Sequence, residues 1–436
     1  MTVRNIKMKD NKNACCKELI EFIDKSPVNY LAVENIKNIL AGKGFKELSE
    51  ADAWKLKAGE KYFVVRNDSA IIAFVVPGKF KGINITASHS DSPCFKIKES
   101  PEIDRAGAYT VLNVEKYGGM LIHPWFDRPL SVAGRVFCRK GGKITRRLVD
   151  LEKNSLIIPS LAIHMDWKAN DGHTINPQEE LLPLYSVKKG SDGSGLTEEI
   201  AAIAGCDKKE ILGSDLFVYC NEKGYIWGPD DEFISAPRLD DLQCAFTTLK
   251  GFLSASKYQK LSVYVVFDNE EVGSSTRQGA ASTFLSDTLE RIYSGLGIDK
   301  EKYHRDLAEG FMLSADNAHA MHPNYVSKAD PVNRPVIGGG VVLKFSGNQK
   351  YCTDGYSAAV VRSVAEKAGC KIQTFTNRSD ITGGSTLGNI LNNSVPVATA
   401  DIGLPQLAMH SPFETAGTGD TADMIKLVKT FYELSV

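Results

Sequence analysis

The stretch LSVYVVFDNEEVGSS, residues 261–275, decides the reading of this chain. Leu261 to Phe267 is an apolar run of strand length, and two carboxylates, Glu270 and Glu271, leave its end side by side. Neighbours on an extended chain point in opposite directions. One acid can therefore bind a metal while the other reaches a water or a substrate, the division of labour a metallohydrolase needs. In isolation the same pair reads equally well as a solvated acidic turn.

The pattern recurs along the chain. Ile83 to Ala87 leads into His89 and Asp91 in TASHSDSP, and ISAPRLDDL supplies Asp240 and Asp241. Phe311 to Ala315 runs into Asp316, and Val397 to Ile402 is followed by LPQLAMHSP with His410. In open α/β sheets functional groups gather outside the carboxyl ends of the strands, so strand-then-ligand, repeated, is the trace of one site. Imidazole and carboxylate without Cys suit Zn, Co or Mn. Two hydrolytic ions sit roughly 3.5–4 Å apart with an acid between them. His89, Asp240, Glu271, Asp316 and His410 fill such a site and leave Glu270 as general base. Asp91, two residues after His89, is spaced to accept the other imidazole N–H. Which acid bridges stays open on these grounds.

SHSDSP, APRLDDL, DNEEVGS, SADNAHAMHPNY, the GGSTLG stretch Gly383 to Gly388 and LPQLAMHS resemble, in order, the motifs of the aspartyl aminopeptidase and vacuolar aminopeptidase I family of dinuclear metallopeptidases. SPVNYLAV and WFDRPLSVAGRV extend the likeness over nearly the whole chain. The resemblance implies Asp240 as bridging ligand, His89 with Asp316 on one ion, Glu271 with His410 on the other, and Glu270 as base. It also implies an α/β/α sandwich catalytic domain, an insert that makes dimer contacts, and dimers assembled into a dodecamer. Asp241 stands where many members carry Asn, and Gly383-Gly384 where they carry Cys-Gly. Neither is a metal ligand in the family, and both point to a bacterial branch; the resemblance implies a preference for acidic N-terminal residues.

Bulk properties agree. A chain of 436 residues suggests two domains, and 43% hydrophobic residues can bury substantial cores. Lys and Arg total 52 against 53 Asp and Glu, which favours neither nucleic acid nor a membrane surface as partner. The N-terminal stretch lacks an apolar core of signal-peptide type, and no run approaches ~20 apolar residues. Nine Cys without a CxxC pair fit a reduced, cytoplasmic setting.

The organisation expected is a catalytic domain in two parts, 1–93 and 236–436, around a β-rich insert, 94–235. Val33, Ile36 and Leu40 mark a helix stopped by Gly42 or Gly44; Tyr62 to Arg66 and Ala70 to Val76 read as a hairpin. Arg135 to Arg139 and Lys143 to Val149 flank Gly141-Gly142 as another. Val361, Val364, Ala365 and Ala368 form a helical face ending at Gly369, Lys371 to Phe375 a strand, and Met424, Leu427, Val428 and Phe431 the closing helix. GSDGSG, 190–195, reads as a surface loop rather than a phosphate cradle.

Several residues carry two readings. His319 and His322 share a helix-like face with Asp316, yet the resemblance makes only Asp316 a ligand. His164 would ordinarily be a packed or surface His; the resemblance sends it to a neighbouring subunit's site. Lys344 and Tyr351 flank a turn and, by resemblance, line the substrate pocket. Arg378 and Asp380 read as a local pair. The function expected is a metal-dependent aminopeptidase acting on peptides with two divalent ions per subunit, most simply Zn. A glycoside hydrolase with paired acids leaves both His ligands unexplained, and a metal-stabilised scaffold would bind ions yet turn over nothing.

Overall fold

The computed structural model describes residues 3–187 and 195–435, so positions 190–194 of the glycine-serine run lie outside the described residues. The chain forms two compact units. One takes the chain as far as Asp91, Gly224–Met409 and everything from Glu414 onward; the other is Ser92–Lys223 with His410–Phe413.

The first unit is built on a nine-stranded sheet. Its order is Lys46–Leu48, Lys61–Arg66, Ala70–Val75, Leu261–Phe267, Ile83–His89, Phe311–Ala315, Ala398–Gly403, Val341–Phe345 and Ile372–Thr376. The central four strands are parallel, and all residues of Leu261–Phe267 and Ile83–His89 are buried. Helices cover both faces of these strands, so even the polar Asn84, Thr86, Ser88 and Ser262 are buried. Alternate residues serve two separate cores. Tyr264 and Val266 pack with helices that include Asn29–Gly42, Leu239–Ser254, Gly355–Ala368 and Thr418–Glu433. Val263 and Val265 pack on the opposite side with Phe284–Gly295 and Lys300–Ala308. The unit is an α/β/α sandwich.

The hairpin Lys61–Arg66/Ala70–Val75 is antiparallel as its sequence implies. Gly369 ends its helix in the left-handed region at φ +62°, and the cap N–H groups donate to the Ala365 and Glu366 carbonyls of the last turn. A smaller five-stranded sheet, Tyr225–Trp227, Phe233–Ala236, Glu414–Gly417, Pro405–Leu407 and Ala318–His319, belongs to the same unit. The pairing of Phe233–Ala236 with Glu414–Gly417 draws 224–235 into this unit, whereas a boundary at 235 places that segment in the insert. Local texture hides such a long-range pairing.

The second unit is β-rich, with a six-stranded antiparallel sheet ordered Lys143–Asp150, Leu130–Lys140, Ile211–Cys220, Cys94–Arg105, Tyr109–Tyr117 and Leu184–Val187. Phe95, Trp125, Leu130, Val132, Val218 and the helix Leu196–Ala204 supply its core. Among the described residues no helix is long and apolar enough to cross a membrane.

Candidate metal centre

Three adjacent parallel strands deliver the site. Phe267 stands opposite His89 in register, and Ser314 opposite Ala87. His89 is therefore the last residue of the central strand, with the 268–271 turn on one side and Asp316 on the other. Crossover connections force every parallel strand to end at the same edge, which is why separated sequence segments converge.

Glu270 and Glu271 are not on extended chain. After Asn269, in the left-handed region at φ +61°, they begin a 3₁₀ turn, Glu270–Val272. Asp91 organises this turn: Oδ1 accepts the Glu270 N–H and Oδ2 the Glu271 N–H, each at 3.1 Å. The expected bond from the His89 ring to the Asp91 carboxylate takes a different form. Nδ1 meets the Asp91 backbone carbonyl at 3.1 Å, and Asp91 Oδ1 lies at 3.4 Å.

Asp240 arrives from another direction. It follows the small-sheet strand Phe233–Ala236 and starts the helix Leu239–Ser254, with non-helical dihedrals at Asp240 and Asp241. His89 Nε2 lies 3.7 Å from Asp240 Oδ1. Ligand-capable atoms of His89, Asp240, Asp241 and Asp316, all buried, fall within 4.8 Å of one another, as do those of His89, Glu270 and Glu271. Asp241, which the family resemblance sets outside the ligands, is buried with this cluster, and its Oδ2 accepts the His89 backbone N–H at 3.3 Å.

Burial is the first cause of every carboxyl shift in this cluster. It pushes Glu270 up to about 7, with Asp316, Asp91 and Asp240 adding repulsion against the attraction of His89. Burial also raises Asp241 and Glu271 well above the usual carboxylate range, Asp240 repelling both. For His89 burial disfavours the charged ring, but Asp91, Asp241 and Glu270 outweigh it and hold the ring's pKa well above its ordinary value. Buried acids in such a group need a compensating cation. An all-oxygen-and-imidazole donor set suits a divalent ion such as Zn, and the residues fit the group.

The other expected residues are placed as follows. Lys344 is 3% exposed, donates to Asn317 O at 2.7 Å and lies 3.7 Å from Asp316 Oδ1. Its ammonium also sits over the buried Tyr351 ring, 5.5 Å from the centroid, so neither is a surface residue. Arg378 and Asp380 form a bidentate pair. His319 lies on the short strand Ala318–His319, and 316–322 is not helical, so the shared helical face with His322 does not form. Among the described residues neither His enters a ligand cluster. His164 is exposed in the second unit on the turn Ile163–Met165, edge-on to Trp167. His410 opens the His410–Phe413 segment of that unit, where its ring Nδ1 meets the Gly119 carbonyl.

Sequence and structure comparisons find relatives along nearly the whole chain. Residues 22–432 match the family model described as aminopeptidase I zinc metalloprotease (M18). A probable M18 family aminopeptidase 2 of Clostridium acetobutylicum is 45% identical over 431 residues, covering 97% of this chain and 100% of that protein. The aspartyl aminopeptidase of Dictyostelium discoideum is 38% identical, covering 96% of each. Among solved structures, Ape4 in the Ape4–Nbr1 complex superposes with a TM-score of 0.94 at 34% identity, covering 98% of this chain and 87% of that one. The S. cerevisiae mApe1 dodecamer gives 0.86 at 28% identity, covering 98% of each chain.

Proposed function

The chain belongs to the aminopeptidase I zinc metalloprotease (M18) family, and from that premise we propose how its residues divide the work. The activity is that of a metal-dependent aminopeptidase, which hydrolyses the N-terminal residue of peptides. His89, Asp240 and Asp316 would hold one ion, and Asp240, Glu271 and His410 the other. The bound ions supply Lewis acidity to a peptide carbonyl and to a water. Glu270 takes the proton of that water and returns it to the leaving amine, and a carboxyl pushed up to about 7 by burial is suited to both transfers near neutral pH. Asp91 fixes the turn from which both glutamates project.

The observation that carries this reading is the buried grouping of His89, Asp240 and Asp316 with Glu270 and Glu271 beside His89. Lys344 and Tyr351 line the pocket for the N-terminal side chain, and an acidic preference follows from the Lys344 charge. His164 completes a neighbouring subunit's site. Its turn exposes Met165 by 72% and Trp167 by 73%, bulky apolar surface of the kind a second copy would cover. The β-rich unit mediates dimers, these build a dodecamer, and the protein works in the cytoplasm.

A panel of aminoacyl p-nitroanilides, assayed with chelator and then with zinc, cobalt or manganese restored, tests the reading. Loss on chelation and recovery with metal are expected, with Asp and Glu substrates turned over fastest. Turnover that persists in chelator would sink the metal mechanism, and metal binding with no turnover of any substrate would favour the scaffold.

A further inference from the structure

One peptide unit beside the cluster is gripped at both ends by side chains. Asp240 has φ −85° and ψ 108° inside the first turn of its helix, so the Leu239–Asp240 peptide is turned out of the ordinary helical pattern. Glu414 Oε2 accepts the Asp240 N–H at 2.9 Å. Asn317 Nδ2 donates to Leu239 O at 3.1 Å. Gln406 joins the two grips: its Oε1 accepts from Asn317 Nδ2 at 2.7 Å, and its Nε2 donates to Glu414 Oε1 at 3.3 Å. The result is a closed ring of one peptide and three side chains. Asn317, Gln406 and Glu414 are each no more than 2% exposed.

The sense of every bond is forced. A carbonyl oxygen only accepts, so Leu239 O needs the Asn317 amide nitrogen, and Gln406 turns its oxygen to Asn317 and its nitrogen to Glu414. Asn317 must then present Nδ2, which leaves its Oδ1 to the Cys244 thiol at 3.2 Å. Asn317 directly follows Asp316, whose own N–H is tied to Ile402 O at 3.0 Å. The ring therefore connects the backbone of Asp240 to the backbone of Asp316, two acids from different sheets that repel one another.

We propose that Asn317, Gln406 and Glu414 are positioning residues that set the Asp240–Asp316 separation before an ion arrives. Buried like charges would otherwise spread apart, and binding energy would go into drawing them together again. A ring of hydrogen bonds, in which the two Asn317 Nδ2 protons are shared among Leu239 O, Gln406 Oε1 and Gln243 Oε1, holds them in place beforehand. This rests on the reading of Asp240 and Asp316 as ligands. Loss of such an outer partner typically weakens metal affinity about 10–100-fold.

The test is zinc titration of the metal-free full-length protein, by calorimetry or against a chromophoric chelator. Gln406→Met removes both amide bonds at similar volume. Glu414→Gln keeps the size but adds a donor, so the ring must reverse and Asn317 Nδ2 must leave Leu239 O. Thr399→Val, which removes a part-buried bond to Asn392 and a buried one to Val397 O, both outside the ring, controls for general loosening. Zinc affinity should fall about 10–100-fold in the two ring variants, with native circular dichroism, and hold in Thr399→Val. Wild-type affinity in Gln406→Met, or an equal fall in Thr399→Val, would overturn the proposal. If Gln406→Met does not fold, Glu414→Gln decides in the same way. Asp316→Asn separates the two levels: weak binding there beside tight binding in Gln406→Met refutes the ring alone, and tight binding in Asp316→Asn refutes the ligand reading beneath it.

Discussion

Asp91 Oδ2 accepts the backbone N–H of Glu271 at 3.1 Å while its Oδ1 takes that of Glu270. A single carboxylate beside the His89 strand thus fixes the orientation of two acids more than 170 positions further along the chain. Two accepting oxygens are required, and an amide has only one.

Asp91→Asn should therefore release one of the two amides, because its NH₂ would face an N–H donor. We expect zinc affinity to drop about 10–100-fold, the usual cost of losing an outer partner, with turnover falling alongside. Zinc titration of the metal-free variant checks this, and wild-type affinity would mean that the turn holds itself.

The strands that carry the site were legible, and the reason is burial. Ile83–His89, Leu261–Phe267 and Phe311–Ala315 are buried along their whole length, so each is rich in apolar residues, with only small or uncharged polar side chains among them before a His or Asp at or just beyond its end. Other features left no such mark. Glu270 and Glu271 follow a left-handed Asn269 and form a turn, a conformation that their position after a strand does not announce. Asp240 comes from the small sheet, whose pairing joins 233–236 to 414–417 across the whole second half of the chain. Asn317, Gln406 and Glu414 are buried polar residues, and only the hydrogen bonds that engage them disclose why they are there. The apparent helical spacing of Asp316, His319 and His322 misled for the opposite reason: a short strand pairs there instead.

Lys344 now stands between two roles. Its ammonium gives one proton to Asn317 O and lies at ion-pair distance from Asp316, and the nearby carboxylates raise its pKa above the ordinary lysine value despite burial. An unpaired substrate carboxylate in a closed pocket is costly, so a remaining donor on Lys344 would favour acidic N-terminal residues. In Lys344→Met, kcat/KM for Asp and Glu substrates should fall roughly 10–100-fold more than for Leu substrates, the scale of one charged hydrogen bond. An equal fall across the panel would assign Lys344 to Asp316 alone.

His164 supplies a test that needs no structure of the assembly. If it acts in a neighbour's site, His164→Ala should bind zinc normally and lose most turnover, since only substrate contacts are removed. Mixing it with Glu270→Gln under conditions of proven subunit exchange should restore part of the activity, because some mixed sites then contain both intact residues. Mixtures as inactive as their parents would exclude a shared site.

The two glutamates of the opening motif should separate cleanly. As general base, Glu270 must be ionised, so kcat/KM should fall as pH drops through its pKa. Burial sets that value at about 7, and bound cations pull it lower by attraction, which places the acid limb at or below neutrality. Glu270→Gln should keep both ions, lose roughly 10²–10⁴-fold in turnover and lose the limb with it, the scale expected for general-base catalysis. Glu271→Gln should instead lose affinity for one ion, because a neutral amide replaces a charged oxygen ligand, and excess zinc should restore part of its activity. Elemental analysis beside turnover decides between them. A Glu270→Gln protein short of metal, with Glu271→Gln holding both ions, would reverse the assignment.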